Sequence, residues 1–216
     1  MKLNDSFIIL LMLMITVCIL NELVEKNAYT PTHSEAVNIV DYPMTFFTLE
    51  ERCVNTEGQP IQCHQLQEVQ NGDVLITKST HTLFYRHGHA GLVVDAEAGL
   101  VLEASGYGFH SSLESLEKWN EYPTVKVLRL KNQTKEQINQ LIESALTHLV
   151  DLPYRLITSK NNMVSTHCSD IIWKAFQAIG LDIDSDGGWL VTPKDISQSP
   201  YFEEIESYGF SSTRVW

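Results

Sequence analysis

Cys168, His89 and Glu103 are the residues of this 216-residue sequence whose types and settings suit chemistry done together. Cys168 opens a segment in which Ile171, Ile172, Ala175, Phe176 and Ile179 recur at helical spacing, with Gly180 placed to end the helix. Ser165 or Thr166 is the expected N-cap, which would aim free N–H groups and the positive dipole end at the sulfur. That setting favours the thiolate, the reactive form of cysteine. The competing reading is an inert buried thiol.

His89 weighs against the inert reading. It opens the apolar run HAGLVV, where a polar side chain is costly unless it has a task, and a strand-borne imidazole suits a general base. Glu103 is the single charged residue of GLVLEAS, and a carboxylate among Val and Leu needs a partner. Residues 95–98 are short enough to join the two runs as a hairpin. Glu103 would then lie opposite or diagonal to His89, orienting the ring and stabilising its protonated form.

Other clusters are weaker. His87 and His89 form H-x-H, and His110, His167 and Cys168 are further ligand types, but no tight zinc-ligand spacing completes the set. Residues 182–187 begin like a calcium loop, yet the twelfth position is Pro193 instead of Glu. The expectation is no metal and no cofactor.

These residues need elements to hold them. Strands are expected at VLITKS after the Asn71-Gly72-Asp73 turn, at HAGLVV, at GLVLEAS and at residues 124–130. Ile138, Leu141, Ile142, Ala145, Leu146 and Leu149 mark a helix before the one that carries Cys168, and Thr134 with Gln137 fits a capping box. Strands in series with flanking helices read as α+β, an antiparallel sheet packed against helices. Residues 71–216 are the expected domain. Residues 27–70 show no sustained period and are expected as an irregular extension packed on it.

Residues 7–20 are almost wholly apolar and lack the polar face of a surface helix, so residues 1–26 read as a signal peptide or a membrane anchor. A tether would run through residues 7–24. Cys53 and Cys63 bracket a polar, turn-rich stretch, and a disulfide between them would suit an oxidising compartment. Cys168 is then a lone thiol in an exported chain. The expected location is extracellular or at the cell surface. With Lys+Arg 15 against Asp+Glu 27 the net charge is −12, and the absence of any basic run argues against a nucleic-acid partner.

The sequence also resembles a family. GDVLIT, RHGHAGLVV, VLEAS, HCSDIIWKAF and GGWLVTPKDISQSP, in that order, are similar to the permuted papain-like cysteine hydrolases of the NlpC-type superfamily, YiiX/YycO-like group. The order His, acid, Cys is the circularly permuted one. The resemblance implies a bacterial protein with Cys168 as nucleophile, His89 as base and Glu103 as orienting residue. It also implies a tyrosine near the site, for which Tyr154 is the candidate. An aromatic residue usually precedes the nucleophile in that family; here His167 does, and it joins Tyr154 and Trp189 as a candidate substrate-binding residue. The implied substrate is a cell-wall peptide or related small amide. An acyl hydrolase or acyltransferase of the same fold acting on lipids, or a non-catalytic binding module, are the other readings.

Overall fold

Hydrophobic alternation in the middle of the chain sets the architecture, because each half-buried strand must present one face to helices and the other to a second layer. The computed structural model describes residues 5–26, 38–45, 47–83, 85–158, 160, 162–211 and 216. In chain order these form α1 (Asp5–Lys26), β1 (Asn38–Pro43), β2 (Thr48–Val54), β3 (Val74–Thr77), β4 (Thr80–Thr82), β5 (Tyr85–Arg86), β6 (His89–Asp95), β7 (Leu100–Glu103) and β8 (Ser112–Ser115). There follow α2 (Glu117–Asn120), β9 (Val125–Leu130), α3 (Lys135–His148), α4 (Cys168–Gln177), α5 (Pro193–Ser197) and β10 (Phe202–Tyr208).

The main sheet is antiparallel, in the order β10-β9-β3-β6-β7-β8. Alternation assigns its two faces. Val74, Ile76, Ala90, Leu92 and Leu102 pack under α3 and α4 with Leu141, Ile171, Ile172 and Phe176. Leu75, Val93, Val101 and Val127 face the other way, onto Trp119 and Tyr122. This is the α+β arrangement expected of the sequence. The capping box of α3 is formed by Thr134 and Gln137, and Gly180 follows α4 with φ +74°, which a Cβ would strain.

Two expectations need correction. The stretch 27–70 is not irregular throughout: β1 and β2 pair, and β2 pairs with β4 in a second antiparallel sheet, β1-β2-β4-β5. These strands escape a sequence reading because charged Glu50, Glu51 and Arg52 sit mid-strand in β2, where ion pairs replace apolar packing. Arg52 bonds Glu50 and Glu121, while Glu51 bonds Arg86. Cys53 and Cys63 are joined as a disulfide, tying β2 to the segment that follows it. The second correction is the N-cap of α4. It is His167, not Ser165 or Thr166, and its Nδ1 accepts the Asp170 N–H at 3.4 Å. Those two residues are engaged otherwise: Ser165 O accepts from Lys174 Nζ, and Thr166 Oγ1 donates to Asp170.

The apolar segment near the N-terminus forms α1, a helix of 22 residues with none buried in the protein. It is long and apolar enough to cross a membrane, and a signal sequence or an anchor both fit it.

Candidate active site

The three chemical residues come from three elements that the core forces together. β6 and β7 form a hairpin in which Glu103 pairs with Gly91, so Glu103 is diagonal to His89 on the same face. α4 packs against β6, which brings its first residue, Cys168, against the first residue of that strand, His89.

His89 Nε2 and Glu103 Oε2 are 2.8 Å apart, and both side chains are buried. That bond leaves Nδ1 as the ring nitrogen turned to Cys168, with which His89 also hydrogen-bonds. Trp119 Nε1 donates to Glu103 Oε1 at 2.7 Å, and Lys118 Nζ stands 3.4 Å from Oε2. The indole also stacks on the imidazole, with centroids 5.7 Å apart. Gly91 makes room for this: a Cβ there would lie 2.6 Å from Val101 Cγ1, 2.8 Å from Trp119 Cζ2 and 3.3 Å from Glu103 Cγ.

The electrostatics follow from those contacts. Burial alone would lift the Glu103 carboxyl, but Lys118, His89 and Trp119 together hold it down at about 2. Burial alone would make His89 less basic, yet the bonds to Cys168 and Glu103 raise it to about 9. Burial likewise opposes ionisation of Cys168, and hydrogen bonds and charge from His167 and His89 overcome it, taking the thiol well below its ordinary range. At neutral pH the arrangement is a thiolate–imidazolium pair backed by a carboxylate. Such a pair can attack a carbonyl carbon and then protonate a leaving group.

Cys168 opens on a cavity of about 390 Å³. Tyr154 and His167 line it with Cys168, and burial together with the neighbouring Cys168 keeps the Tyr154 phenol protonated. A parallel bridge from Tyr154 to Thr166 holds the tyrosine beside the start of α4. His167 Nε2 is buried, and its ring is close enough to stabilise the sulfur. Trp189 is not brought to the cavity: it is 66% exposed, and its neighbours Leu190 and Val191 line the wall instead. His87 lies on the wall, kept neutral chiefly by burial, and bonded to Thr82 Oγ1 and Gly88 O.

Sequence reasoning missed Trp119 and Lys118, the two supports of Glu103. The available signal was a tryptophan standing in the otherwise polar run LEKWNE, where a large apolar side chain has to find a core.

Among the described residues, one group of carboxylates lies close enough to hold a cation: Asp184, Asp186 and Asp195, with ligand oxygens within 4.8 Å of one another. Each already has partners in the chain. Asp184 pairs with Lys160, Asp186 Oδ1 accepts the Gly188 N–H, and Asp195 Oδ2 accepts from Thr192. Lys160 and these N–H and O–H donors offset part of the negative charge of the group.

Comparison with known proteins agrees with the geometry. Residues 68–188 match the family described as permuted papain-like amidase enzyme, YaeF/YiiX, C92 family. The chain is similar to the protein YycO of Bacillus subtilis (strain 168), 29% identical over 140 residues, which are 62% of this chain and 54% of that one. It thus spans about half the length of the curated relative it matches. In three dimensions it resembles the crystal structure of metalloprotein yiiX from Escherichia coli O157:H7, with TM-score 0.52 and 16% identity over 65% of this chain and 98% of that one. That likeness shows a shared fold.

Proposed function

The chain belongs to the permuted papain-like amidase family YaeF/YiiX, and from that premise we propose that it is a cysteine hydrolase that cleaves an amide bond by way of Cys168, His89 and Glu103. The observation that carries the reading is the buried chain of contacts from Glu103 through His89 to the thiol at the start of α4.

In the reaction, the Cys168 thiolate attacks the amide carbonyl carbon, and the C–N bond breaks as His89 donates its Nδ1 proton to the leaving nitrogen. Water, deprotonated by the now neutral His89, then releases the acyl group and restores the thiolate. Negative charge on the carbonyl oxygen is met by N–H groups of the first turn of α4, which have no carbonyl one turn earlier to bond. His167 adds a donor. Its Nδ1 accepts the Asp170 N–H, which leaves Nε2 as the ring nitrogen able to donate. Glu103 fixes the His89 ring and stabilises its positive charge, as the acid of a catalytic triad does.

The substrate in this reading is a small amide or peptide, cell-wall peptides included, met on the outer side of a bacterial membrane; α1 and the Cys53–Cys63 disulfide support an exported chain. No step is routed through a metal or cofactor. The test is turnover of a panel of muropeptides, amino-acid amides and acyl lipids by the full chain and by Cys168→Ala. Amide hydrolysis that vanishes in Cys168→Ala supports the reading. Amide hydrolysis that persists in the variant, or acyl adducts from lipids alone, refutes it.

A further inference from the structure

The two ends of α1 make opposite demands. From Phe7 to Leu20 the helix exposes apolar side chains on every side, and the protein covers none of them. Its last turn is bound tightly to the catalytic domain. Asn21 Oδ1 accepts the Arg86 N–H at 2.8 Å, and the Arg86 guanidinium is shared between Glu22 and Glu51. Lys26 reaches Glu51 at 3.3 Å. Glu25 bonds Lys78, whose side chain is 1% exposed. Cleavage behind α1 would take Glu25 away from this buried ammonium and Glu22 from a buried guanidinium, and removing one partner of a buried ion pair is costly. The contacts therefore favour a helix that is kept.

The same turn is part of the cavity wall. Asn21 and Glu25 line the cavity together with Cys168. Beside them on the wall are Tyr85 and Leu156, both exposed; Ile157, next to Leu156, and Leu83, two residues before Tyr85, are exposed apolar residues as well. Ile157 is 70% exposed. Scattered surface leucines need no explanation, but apolar residues gathered at the mouth of a cavity mark an interaction surface. The 16 residues of α1 ahead of Asn21 are about 24 Å long, most of the thickness of the hydrocarbon layer, so the domain-bound turn that follows them sits at the headgroups.

We propose that the mouth of the cavity rests on the bilayer that α1 occupies, with the ion-paired last turn of the helix as the brace that sets the angle and the rim at Leu83, Tyr85, Leu156 and Ile157 dipping into the interface. The partner is a phospholipid surface. The four rim side chains named are uncharged, so the contact they make is apolar insertion of the kind that buries side chains at the headgroup–acyl boundary, with the exposed Arg155 beside Leu156 left at the headgroups. A consequence, which rests on the hydrolase reading above, is that the enzyme takes amides carried at the membrane surface in preference to the same groups free in solution. The docking itself does not depend on that reading.

The experiment uses the full chain in phosphatidylcholine vesicles. In a Cys18→Ser, Cys168→Ala background, with Cys53 and Cys63 bonded to each other, Ile157→Cys gives one thiol for an environment-sensitive fluorophore, and Thr147→Cys on the exposed side of α3 gives a second labelled protein. The label at 157 should shift to the blue and lose emission when the lipid chains are brominated near the headgroup, and the label at 147 should do neither. Equal emission at 157 in brominated and plain vesicles, or equal quenching at both positions, overturns the proposal. Glu22→Gln with Glu25→Gln should reduce the quenching at 157 while the protein stays in the vesicles; undiminished quenching overturns the brace. Because Cys168 is absent throughout, none of these outcomes depends on turnover.

Discussion

Replacing Glu103 with Gln changes one atom and inverts a hydrogen bond. Trp119 Nε1 can only donate, and at 2.7 Å it will claim the amide oxygen. The amide NH2 is then turned to His89 Nε2, where the carboxylate oxygen stood at 2.8 Å. A donor facing Nε2 demands a lone pair there, so the ring is held neutral with its proton on Nδ1. The His89 pKa, about 9 with the carboxylate and the thiolate in place, should fall to the ordinary 6.5 or below, since burial then works unopposed by Glu103. That fall corresponds to roughly 3 kcal/mol of support for the imidazolium. If the support is needed in the transition state, kcat/KM should drop about a hundredfold or more. Two assays read this. NMR titration of the imidazole protons should move the His89 midpoint down by two units or more, and the alkaline edge of the activity profile should move with it. An unmoved midpoint with full turnover would show that Glu103 neither charges nor orients the ring.

Further expectations follow from the same contacts. Gly91→Ala should force Trp119 and Glu103 apart, costing roughly 1–3 kcal/mol in urea denaturation and lowering activity more than Gly58→Ala in an open turn, where the cost is backbone strain alone. His167→Phe should lower kcat with little change in KM, because it removes the Nε2 donor and the α4 cap while keeping an aromatic wall; a raised KM with kcat intact would make His167 a binding residue only. Stability should depend on pH through the buried pair. His89, at about 9 in the fold against 6.5 ordinarily, contributes fully below pH 6.5 and loses its contribution as pH rises through about 9. Glu103, at about 2 against 4.5, contributes above pH 4.5 and loses its contribution as pH falls through about 2. Cys168, held well below its ordinary range, gains as pH rises toward that range and offsets the loss at His89, so the wild-type urea midpoint should stay nearly level between pH 6.5 and 9 and fall only below pH 4.5, as Glu103 takes up its proton. Removing the Cys53–Cys63 bond, which spans 10 residues, should cost about 3 kcal/mol on chain-entropy grounds, measured as the midpoint shift in Cys53→Ala, Cys63→Ala.

How far the sequence foretold this structure depends on what holds each part together. The β6–β7 hairpin, α3 and α4 were legible because apolar periodicity builds them; the sequence left Glu103 opposite or diagonal to His89, and the register of the hairpin makes it diagonal. The second sheet was not. Its strands are two to seven residues long, and β2 carries Glu50, Glu51 and Arg52 in positions where ion pairs to Glu121 and Arg86 do the work of apolar contacts. Local pattern does not reveal partners that lie tens of residues away. The same is true of Trp119 and Lys118, which reach Glu103 through a short helix and not through β6 or β7. Trp189, named as a candidate substrate-binding residue within GGWLVTPKDISQSP, is turned outward by the chain, which local sequence does not reveal. His167 was singled out as a departure from the family pattern, and its role as N-cap could be read only once its backbone was seen to be extended, at φ −133° and ψ 177°.

The account turns on Cys168 being a thiolate at neutral pH because His89 and His167 hold it so. The direct measurement is the rate at which iodoacetamide carbamidomethylates Cys168 in the full chain, followed by peptide mass spectrometry across the pH range, with free N-acetylcysteine in the same solution as the comparison. The account predicts a rate already near its plateau at pH 6, and a plateau reached only at higher pH in Glu103→Gln, where His89 has lost its charge. A Cys168 rate that climbs through pH 8 to 9 in wild type, as for an ordinary thiol, would contradict it.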